Sequence, residues 1–588
     1  MSLALIYEFL FATETKIYTR RSLFWLSLGL GFSIVYSLLA LQKAFDGEYI
    51  VQDDARQHVF WMSRFIDPEL FPNDLIADYY QSIAPWGYKN LYRLAANIGI
   101  DPLVFNKFVP SGIGIVMTVS CFAVSLELLP IPFSAFVTTL LFNQNIWVQG
   151  GIISGTARDF VYPLLFIFIY YWLKRSEAMP LGLSLLGVCI TLVLVSWFYP
   201  SSILIYAGVL FLQLWRMDGY IPRLRHDKQV YIFSCIGLAV ALVVLFPYVL
   251  AASEYGPTIT LEQARNLPEF TAGGRASFFY DNDPWEYWFN ASRTGIKLAP
   301  ALVPQLAYAG SLLPFLLKFP QRFPLSQKIN PKISYLKDLL IVSFGLFFTA
   351  HAVLFKLYLP SRYTARSLKV TVILAASIAL MLILDAVWHW ASDRQFHSRI
   401  RSIIAVIPIG ILFAALIAFP IAGSNFTNTG YQRGEHPELY QFLQQQPKDI
   451  VIASLSSEAN LLPSFTQRSV LVAQEYGIPY HWGYYQPFRQ RVIDLIEAQY
   501  TTDLQTVKNF IRRYGVTHWL IDNSAFTPEY LAGNRWLVDH QPATENAIAR
   551  LEKGNKSAIA SLQNTCSVFK DLKCTVLDGI CILNQGFY

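Results

Sequence analysis

Charge is scarce in this sequence of 588 residues, because only 15% of them are charged while 54% are hydrophobic. Soluble proteins carry about a quarter charged residues. The hydrophobic residues also occur in runs close to the length of about 20 residues that crosses a bilayer. This composition excludes an ordinary soluble protein and predicts a polytopic α-helical membrane protein.

Motifs that bind nucleotides are missing as well. The sequence contains no Walker motif, no convincing dinucleotide fingerprint and no cysteine and histidine spacing typical of zinc. The net charge is +6, but the basic residues lie mostly between the apolar runs, so we expect no nucleic-acid partner. Ionisable residues lie mostly at the ends of these runs, which argues against a transporter that couples ions at mid-membrane depth.

Cysteine is also rare, and the six cysteines define no disulfide framework. Three of them, Cys566, Cys574 and Cys581, lie in the C-terminal tail. One disulfide can form there if the tail lies outside the cytoplasm, and Cys566 and Cys574 would pair most easily.

The apolar runs predict about eleven membrane spans. Lys16, Arg20 and Arg21 precede the first span, which places the N-terminus in the cytoplasm by the positive-inside rule. Most of the later connections on that side are basic too, and an odd number of spans puts the tail outside. The predicted spans are residues 23–41, 105–126, 133–148, 160–173, 181–197, 201–215, 230–252, 298–317, 339–355, 368–388 and 403–421.

The composition changes to that of a soluble domain near residue 423. Helical patterns alternate there with strand-like runs that begin at Ile450, Ser469 and Thr517, and Gly515 stands where a helix C-cap is expected. We therefore predict a membrane domain over 1–422, with a long external loop over 42–104, followed by an extracytoplasmic α/β domain over 423–588.

The first external loop concentrates acidic and aromatic residues directly after the first span. If a helix covers residues 52–65, Asp54 and His58 share one of its faces and Asp53 lies one step around. Paired carboxylates with a nearby imidazole can bind a divalent cation or act as a general base. The alternative is a solvated amphipathic helix that rests on the bilayer surface.

The last predicted external loop, residues 356–366, carries three cations, Lys356, Arg362 and Arg366, on the side where the positive-inside rule disfavours them. A phosphate or pyrophosphate head group would account for them through charge-assisted hydrogen bonds. If a helix begins at Ser361, the two arginines share its face. The alternative is ordinary anchoring at lipid phosphates.

Other polar residues of the outer loops have two interpretations each. Arg158 and Asp159 follow a glycine-rich turn and form either a local ion pair or a part of the same site. Asp281 and Asp283 form a D-x-D pair, which is either a weak metal signal or a polar turn. Asp159, Asp281 and Asp283 would bind one metal ion only if their loops converge.

These features together resemble the GT-C superfamily of integral-membrane glycosyltransferases, which includes protein O-mannosyltransferases, aminoarabinose transferases and the catalytic subunit of oligosaccharyltransferase. Members have a cytoplasmic N-terminus, many spans and an essential acidic residue in a long first external loop. Asp53 and Asp54 match that position in VQDDARQH. The WWDYG motif of oligosaccharyltransferases is absent, since HWGYY at His481 has no acid in that place, and this argues against asparagine-linked transfer.

The resemblance implies an enzyme of the plasma or inner membrane that moves a sugar from a polyprenyl-phosphate or polyprenyl-pyrophosphate donor to a glycan, lipid or protein acceptor. Asp54, rather than Asp53, would take the proton of the acceptor hydroxyl, and His58 would orient it. A divalent cation, Mg²⁺ or Mn²⁺, stays open as a cofactor. The residues that would bind the donor phosphate are Arg158, Lys356, Arg362 and Arg366.

Two other classes of function remain open. A lipid or polysaccharide transporter would use the same spans as a conduit, and internal symmetry or a polar path through the membrane would favour it. A non-catalytic scaffold would use the tail for binding and would tolerate the loss of both Asp53 and Asp54.

The predicted topology can be tested with reporter fusions. Because the basic connections alternate with the spans, fusions after Arg223 and after Gly430 are expected to report opposite sides of the membrane. A compartment-sensitive enzyme pair fused at each position measures the side. If both positions report the same side, the predicted topology is wrong.

Overall fold

The computed structural model describes residues 3–175, 180–218, 221–250, 254–393, 398–422 and 426–586. Helices dominate its membrane half, as the apolar runs predict. They are α1 Leu3–Phe11, α2 Arg20–Ala44, α3 Ala55–His58, α4 Leu75–Ile83, α5 Trp86–Asn97, α6 Pro102–Leu128, α7 Pro132–Val148, α8 Val161–Lys174, α9 Leu181–Phe198, α10 Ile203–Leu212, α11 Lys228–Leu250, α12 Leu261–Arg265, α13 Leu298–Ala301, α14 Leu313–Leu316, α15 Ser334–Ala352, α16 Ser361–Asp393 and α17 Ser398–Ala422.

Seven of these helices, within the described residues, are long and apolar enough to cross a membrane: α2, α6, α9, α11, α15, α16 and α17. The chain is therefore an integral membrane protein. Helices α7, α8 and α10 are shorter, with 17, 14 and 10 residues, and α7 is buried along almost its whole length against α2, α6 and α16. Three of the eleven predicted spans are thus short helices.

The predicted span over 298–317 is wrong as a continuous helix. The chain forms α13, a 3₁₀ helix at Gln305–Leu312 and then α14 instead. Pro300, Pro304 and Pro314 explain the breaks, because proline has no backbone N–H to donate and clashes with the preceding turn of a helix. The broken segment packs against α16.

A short sheet joins the first external loop to the chain that follows the last span. Strand β1 (Ile50–Gln52) pairs antiparallel with strand β4 (Tyr431–Arg433). Two further hydrogen bonds lie beside these strands. Asp53 N donates to Gly430 O at 3.1 Å, and the side chain of Lys43 donates to Thr427 O at 2.7 Å. Two further strands, β2 (Trp215–Asp218) and β3 (Ile221–Leu224), form a hairpin between α10 and α11.

The tail contains a mixed sheet of five strands in the order β6-β5-β7-β9-β8. Strands β5 (Val451–Ser454), β6 (Ser469–Val470) and β7 (His518–Asp522) run parallel to one another. Strand β9 (Cys574–Asp578) pairs antiparallel with β7 on one side and with β8 (Ser567–Lys570) on the other. The helices of the tail are α18 Pro437–Gln444, α19 Leu462–Thr466, α20 Trp482–Tyr500, α21 Leu504–Tyr514, α22 Pro528–Ala532, α23 Arg535–Val538, α24 Ala543–Glu552, α25 Ala558–Leu562 and α26 Gly579–Asn584.

This arrangement agrees with the α/β pattern of the sequence. Gly515 is the C-cap of α21 with a left-handed backbone (φ 64°), which is the conformation that glycine adopts most easily at a helix end. The predicted boundary at 422/423 adjoins residues 423–425, which lie outside the described residues.

The predicted pairing of Cys566 with Cys574 is wrong, because Cys566 is bonded to Cys581. Cys566 precedes β8 and Cys574 begins β9, and in an antiparallel pair these positions lie at opposite ends. Asp578 at the end of β9 donates its N–H to Cys566 O at 2.9 Å, which brings α26 and its Cys581 next to Cys566. Cys574 remains a free, buried thiol.

Candidate functional site

The two acidic residues after β1 point to different partners. Gln52 Oε1 accepts from the backbone N–H of Asp54 at 2.8 Å and of Ala55 at 3.3 Å, which turns the chain from β1 into α3. Asp53 then forms an ion pair with Arg56, and Asp54 forms one with Arg158. The sequence pattern separated the two carboxylates by their helix face, whereas the structure separates them by the turn at Gln52.

The predicted helix over 52–65 is wrong in its extent, because β1 includes Gln52 and α3 ends at His58 before a 3₁₀ helix at Phe60–Phe65. The nearest ring contact of His58 is Tyr80, with centroids 5.7 Å apart, and no side-chain hydrogen bond to Asp54 is found among the described residues. Burial lowers the pKa of His58 to about 4, against the attraction of Asp54, so the ring is neutral at physiological pH.

Arg158 lies between two carboxylates. Besides Asp54 it faces Asp159, with 3.7 Å between Arg158 Nε and Asp159 Oδ1. Asp159 is almost fully buried and accepts from Ser154 Oγ at 2.6 Å and from Thr156 N at 3.3 Å, so a polar turn holds it in place. Arg158 and Asp159 are therefore both a local ion pair and a part of the group around Asp54.

The two carboxylates beside Arg158 have pKa values shifted in opposite directions. Burial raises the pKa of Asp54, but the positive charges of Arg158, Arg362 and Arg275 outweigh it and hold the pKa below its usual value. Burial dominates at Asp159 and raises its pKa to about 6 in spite of Arg158. Both carboxylates are thus mostly ionised at physiological pH, and Asp54 stays ionised to a lower pH than Asp159 does.

Helix α16 brings two cations of residues 356–366 close to Asp54 and Asp159. It begins at Ser361 as predicted, and Ser361 is held by hydrogen bonds of its N–H to Arg293 O (3.1 Å) and of its Oγ to Ser292 O (2.8 Å). Arg362, Arg366 and Lys369 follow at a spacing that puts them on one face of the helix.

Two guanidinium groups of this face have unused donors. Arg362 Nε and Arg366 Nη1 are buried and have no hydrogen-bond partner within the described part of the chain. Arg366 also lies 4.8 Å above the ring of Tyr199, where a cation is attracted by the π-electrons. Lys356, the third predicted cation of this loop, is exposed on the turn before α16.

The outer segments therefore converge on Asp54, but only in part as predicted. The pKa of Asp54 is lowered by the positive charges of Arg158, Arg275 and Arg362, and the charge of Arg366 opposes the rise of the pKa of Asp159. Asp281 instead pairs with Arg265 at 2.8 Å on the surface, and Asp283 caps the turn before Glu286. Asp159, Asp281 and Asp283 do not form a group of metal ligands in the described structure.

Glu475 is a residue of this region that sequence reasoning missed. It accepts hydrogen bonds from Arg56 at 3.1 Å and Arg275 at 2.8 Å, and another from Gln57. It thereby joins the tail to the first external loop and to the loop that follows α11. Nothing in the sequence marks Glu475, because its partners are 418, 419 and 200 residues away in the chain.

The aromatic cluster around His481 has a packing role. Tyr79 stacks on Tyr484 with the ring centroids 3.7 Å apart, and its hydroxyl hydrogen-bonds to His481 Nδ1 at 2.9 Å. These contacts hold the first external loop against the tail. Tyr199 is a second residue that the sequence pattern missed; it follows α9, and only the fold brings it under Arg366.

The fold and this site define a polytopic membrane protein with a carboxylate set among converging cations. No family model and no curated protein sequence matches the chain. Solved structures do match its fold. An oligosaccharyltransferase of Archaeoglobus fulgidus, tethered to an acceptor peptide with the NVT sequon, has a TM-score of 0.50 and 11% identity, over 88% of this chain and 72% of its own.

Two other solved structures are similar. Arabinofuranosyltransferase AftD from mycobacteria has a TM-score of 0.51 and 12% identity, over 86% of this chain but only 37% of its own. ArnT of Cupriavidus metallidurans, bound to undecaprenyl phosphate, has a TM-score of 0.47 and 10% identity, over 94% of this chain and 98% of its own. The fold of this chain is therefore similar to the folds of the oligosaccharyltransferase and of AftD.

The hydrogen bonds of Glu475 predict that it stabilises the arrangement of the outer segments. Glu475→Gln leaves Arg56 and Arg275 without their shared carboxylate, and breaking buried ion pairs costs about 3 kcal/mol. Denaturant titration in detergent measures the loss. The control is Asp46→Asn, because Asp46 pairs with Arg433 on the surface and such pairs contribute less than about 1 kcal/mol. Equal stability of the two variants would contradict this role.

Proposed function

We propose that this protein is a glycosyltransferase that moves a sugar from a polyprenyl-phosphate or polyprenyl-pyrophosphate donor to an acceptor at the extracytoplasmic face. The observation that carries the proposal is the meeting of one ionised carboxylate, Asp54, with guanidinium groups that have unused buried donors. The two structures with TM-scores of 0.50 and 0.51 are named as glycosyltransferases, which supports this activity.

The cations on α16 suit the phosphate of such a donor. A buried polar donor without a partner is costly, so Arg362 Nε and Arg366 Nη1 are expected to gain most from an anionic ligand. Phosphate oxygens accept two parallel N–H bonds from a guanidinium group. Arg362 lies in the first turn of α16, where the backbone N–H groups add partial positive charge.

Arg158 connects donor binding to the state of Asp54. In the described structure its guanidinium is shared by Asp54 and Asp159, and this contact lowers the basicity of Asp54. A donor phosphate beside Arg362 would compete with Asp54 for Arg158, because both groups are anions. Asp54 would then regain basicity when the donor is bound, and a carboxylate that becomes basic at that moment is suited to general-base catalysis.

The reaction that follows from this arrangement is a direct displacement. Asp54 takes the proton of the acceptor hydroxyl while its oxygen forms the new bond to the anomeric carbon. The bond from that carbon to the phosphate oxygen breaks, and the lipid phosphate leaves with the electron pair. Arg362, Arg366 and Arg158 stabilise the charge that develops on the leaving group.

The described carboxylates near Asp54 form no group of three ligands for a divalent cation, which stays open as a cofactor. Mg²⁺ and Mn²⁺ require several oxygen ligands around one point. Asp54 and Asp159 both face Arg158, and Asp281 and Asp283 lie elsewhere. The proposed mechanism therefore derives its positive charge from the arginines of the chain.

Asp54→Asn tests the proposed base. Removing a general base lowers a rate by about a hundredfold or more, so transfer of label from lipid-linked sugars to acceptors in membranes is expected to fall by that amount. The matched control is Asp53→Asn, because Asp53 pairs with Arg56 and not with Arg158. Asp53→Asn is expected to retain activity. Full activity of Asp54→Asn would move the role to another residue.

Arg362 is expected to bind the donor phosphate. A charge-assisted hydrogen bond contributes about 1.5–3 kcal/mol, so Arg362→Ala is expected to weaken binding of polyprenyl phosphate by about ten- to a hundredfold. Arg362→Lys keeps the charge but loses the planar fork, and its affinity should fall between the two.

Titration of wild type and variants with polyprenyl phosphate in nanodiscs gives the affinities. Lys356→Ala is the control, because its side chain is exposed on the turn before α16. If all four proteins saturate at the same concentration, Arg362 does not bind the phosphate.

A further inference from the structure

A second group of chemically active side chains lies in the tail, away from Asp54. His436 precedes α18, Asp571 lies in the turn between β8 and β9, and Cys574 is the first residue of β9. One ligand atom of each residue lies within 4.8 Å of the other two, and this is the one such group of three in the described residues. Nothing in the proposed sugar transfer uses these residues.

The turn between β8 and β9 fixes the carboxylate of this group. Asp571 Oδ1 accepts from the backbone N–H of Lys573 at 2.7 Å and of Cys574 at 2.6 Å. The other oxygen, Oδ2, lies 3.0 Å from His436 Nδ1. The backbone therefore holds one oxygen in place and leaves the second directed at the imidazole.

Cys574 has no covalent partner. The other two cysteines of the tail, Cys566 and Cys581, are bonded to each other at the opposite end of the β8–β9 pair. The Cys574 side chain is 2% exposed. A buried thiol, an imidazole and a carboxylate thus meet at one point, and this is a combination of ligands that zinc accepts.

The surroundings of the group are rich in carboxylates. A cavity of about 610 Å³ borders it and is lined by His436, Glu435, Glu458, Asp522 and Lys573 among others. Lys573 pairs with Glu435 at 2.6 Å, whereas Asp522 and Glu458 accept hydrogen bonds from the uncharged hydroxyls of Tyr530 and Tyr440. Arg56 and Arg433 also line the cavity, so its wall carries charges of both signs, and the three ligand atoms themselves are what favours a metal ion.

We propose that His436, Asp571 and Cys574 bind a divalent transition metal, and that zinc fits this ligand set best. Zinc is bound at about 2.0–2.3 Å by such ligands in a tetrahedron, which separates the ligand atoms by about 3.3–3.7 Å. The ion would replace the hydrogen bond between His436 and Asp571 by two metal bonds. Water from the cavity would supply the fourth ligand.

The site would connect the tail sheet to the first external loop. His436 follows β4, and β4 pairs with β1 directly before Asp53 and Asp54. Cys574 begins strand β9 of the tail sheet, and Asp571 lies in the turn that leads to it. The metal ion would therefore link the segment that follows β4 to the tail sheet, and its fourth position would stay open to water.

Cobalt substitution tests the site directly. The full chain is purified in detergent with a tag that contains no histidine, freed of metal with a chelator and titrated with Co²⁺. The wild type is expected to show one equivalent of tetrahedral cobalt with the near-ultraviolet sulfur-to-metal charge-transfer band, and Zn²⁺ should abolish both signals. The absence of this band in the wild type would overturn the proposal.

Variants show whether the named residues are the ligands. Cys574→Ser is expected to lose the charge-transfer band, and His436→Gln to weaken cobalt binding by about tenfold or more. The matched control is Cys235→Ser, because Cys235 is an exposed free cysteine on α11 and should leave the spectrum unchanged. A band that persists in Cys574→Ser would overturn the proposal, since another thiol would then bind the metal.

Discussion

The carboxylate of Glu475 holds together three segments that are distant in sequence. It contacts Arg56 and Gln57 of the first external loop and Arg275 of the loop after α11, while its own segment belongs to the tail. Arg275 O in turn accepts from Arg293, whose own carbonyl accepts from Ser361 N at the start of α16. The positions of Asp54 and of the cations on α16 therefore depend on one chain of contacts that begins at Glu475.

The balance of charge around Asp54 explains why the site needs this fixed framework. Arginines grouped at the end of a membrane helix repel one another. Asp54 and Asp159 offset part of that repulsion through Arg158, but Arg362 and Arg366 keep unused buried donors. A set of cations that is incompletely paired in the free protein is prepared to accept an anionic ligand.

The membrane helices and the tail together hold the loops around Asp54 in position. Strand pairing between β1 and β4 ties the first external loop to the end of the last span, and the stacking of Tyr79 on Tyr484 presses the same loop against the tail. The proposed metal site at His436 would add a further connection to β4. The loops around Asp54 are therefore held by the tail as well as by the spans.

The sequence by itself determined what depends on local composition and spacing. The apolar runs predicted the membrane helices, Arg362 and Arg366 predicted the polar face at the start of α16, and Gly515 marked a helix end, because each signal depends on residues a few positions apart. Only the tertiary structure decided which carboxylate meets Arg158, that Cys566 pairs with Cys581, and that Glu475 and Tyr199 belong to the site. These contacts join positions far apart in the chain, and no local pattern encodes which of many possible partners the packing brings together.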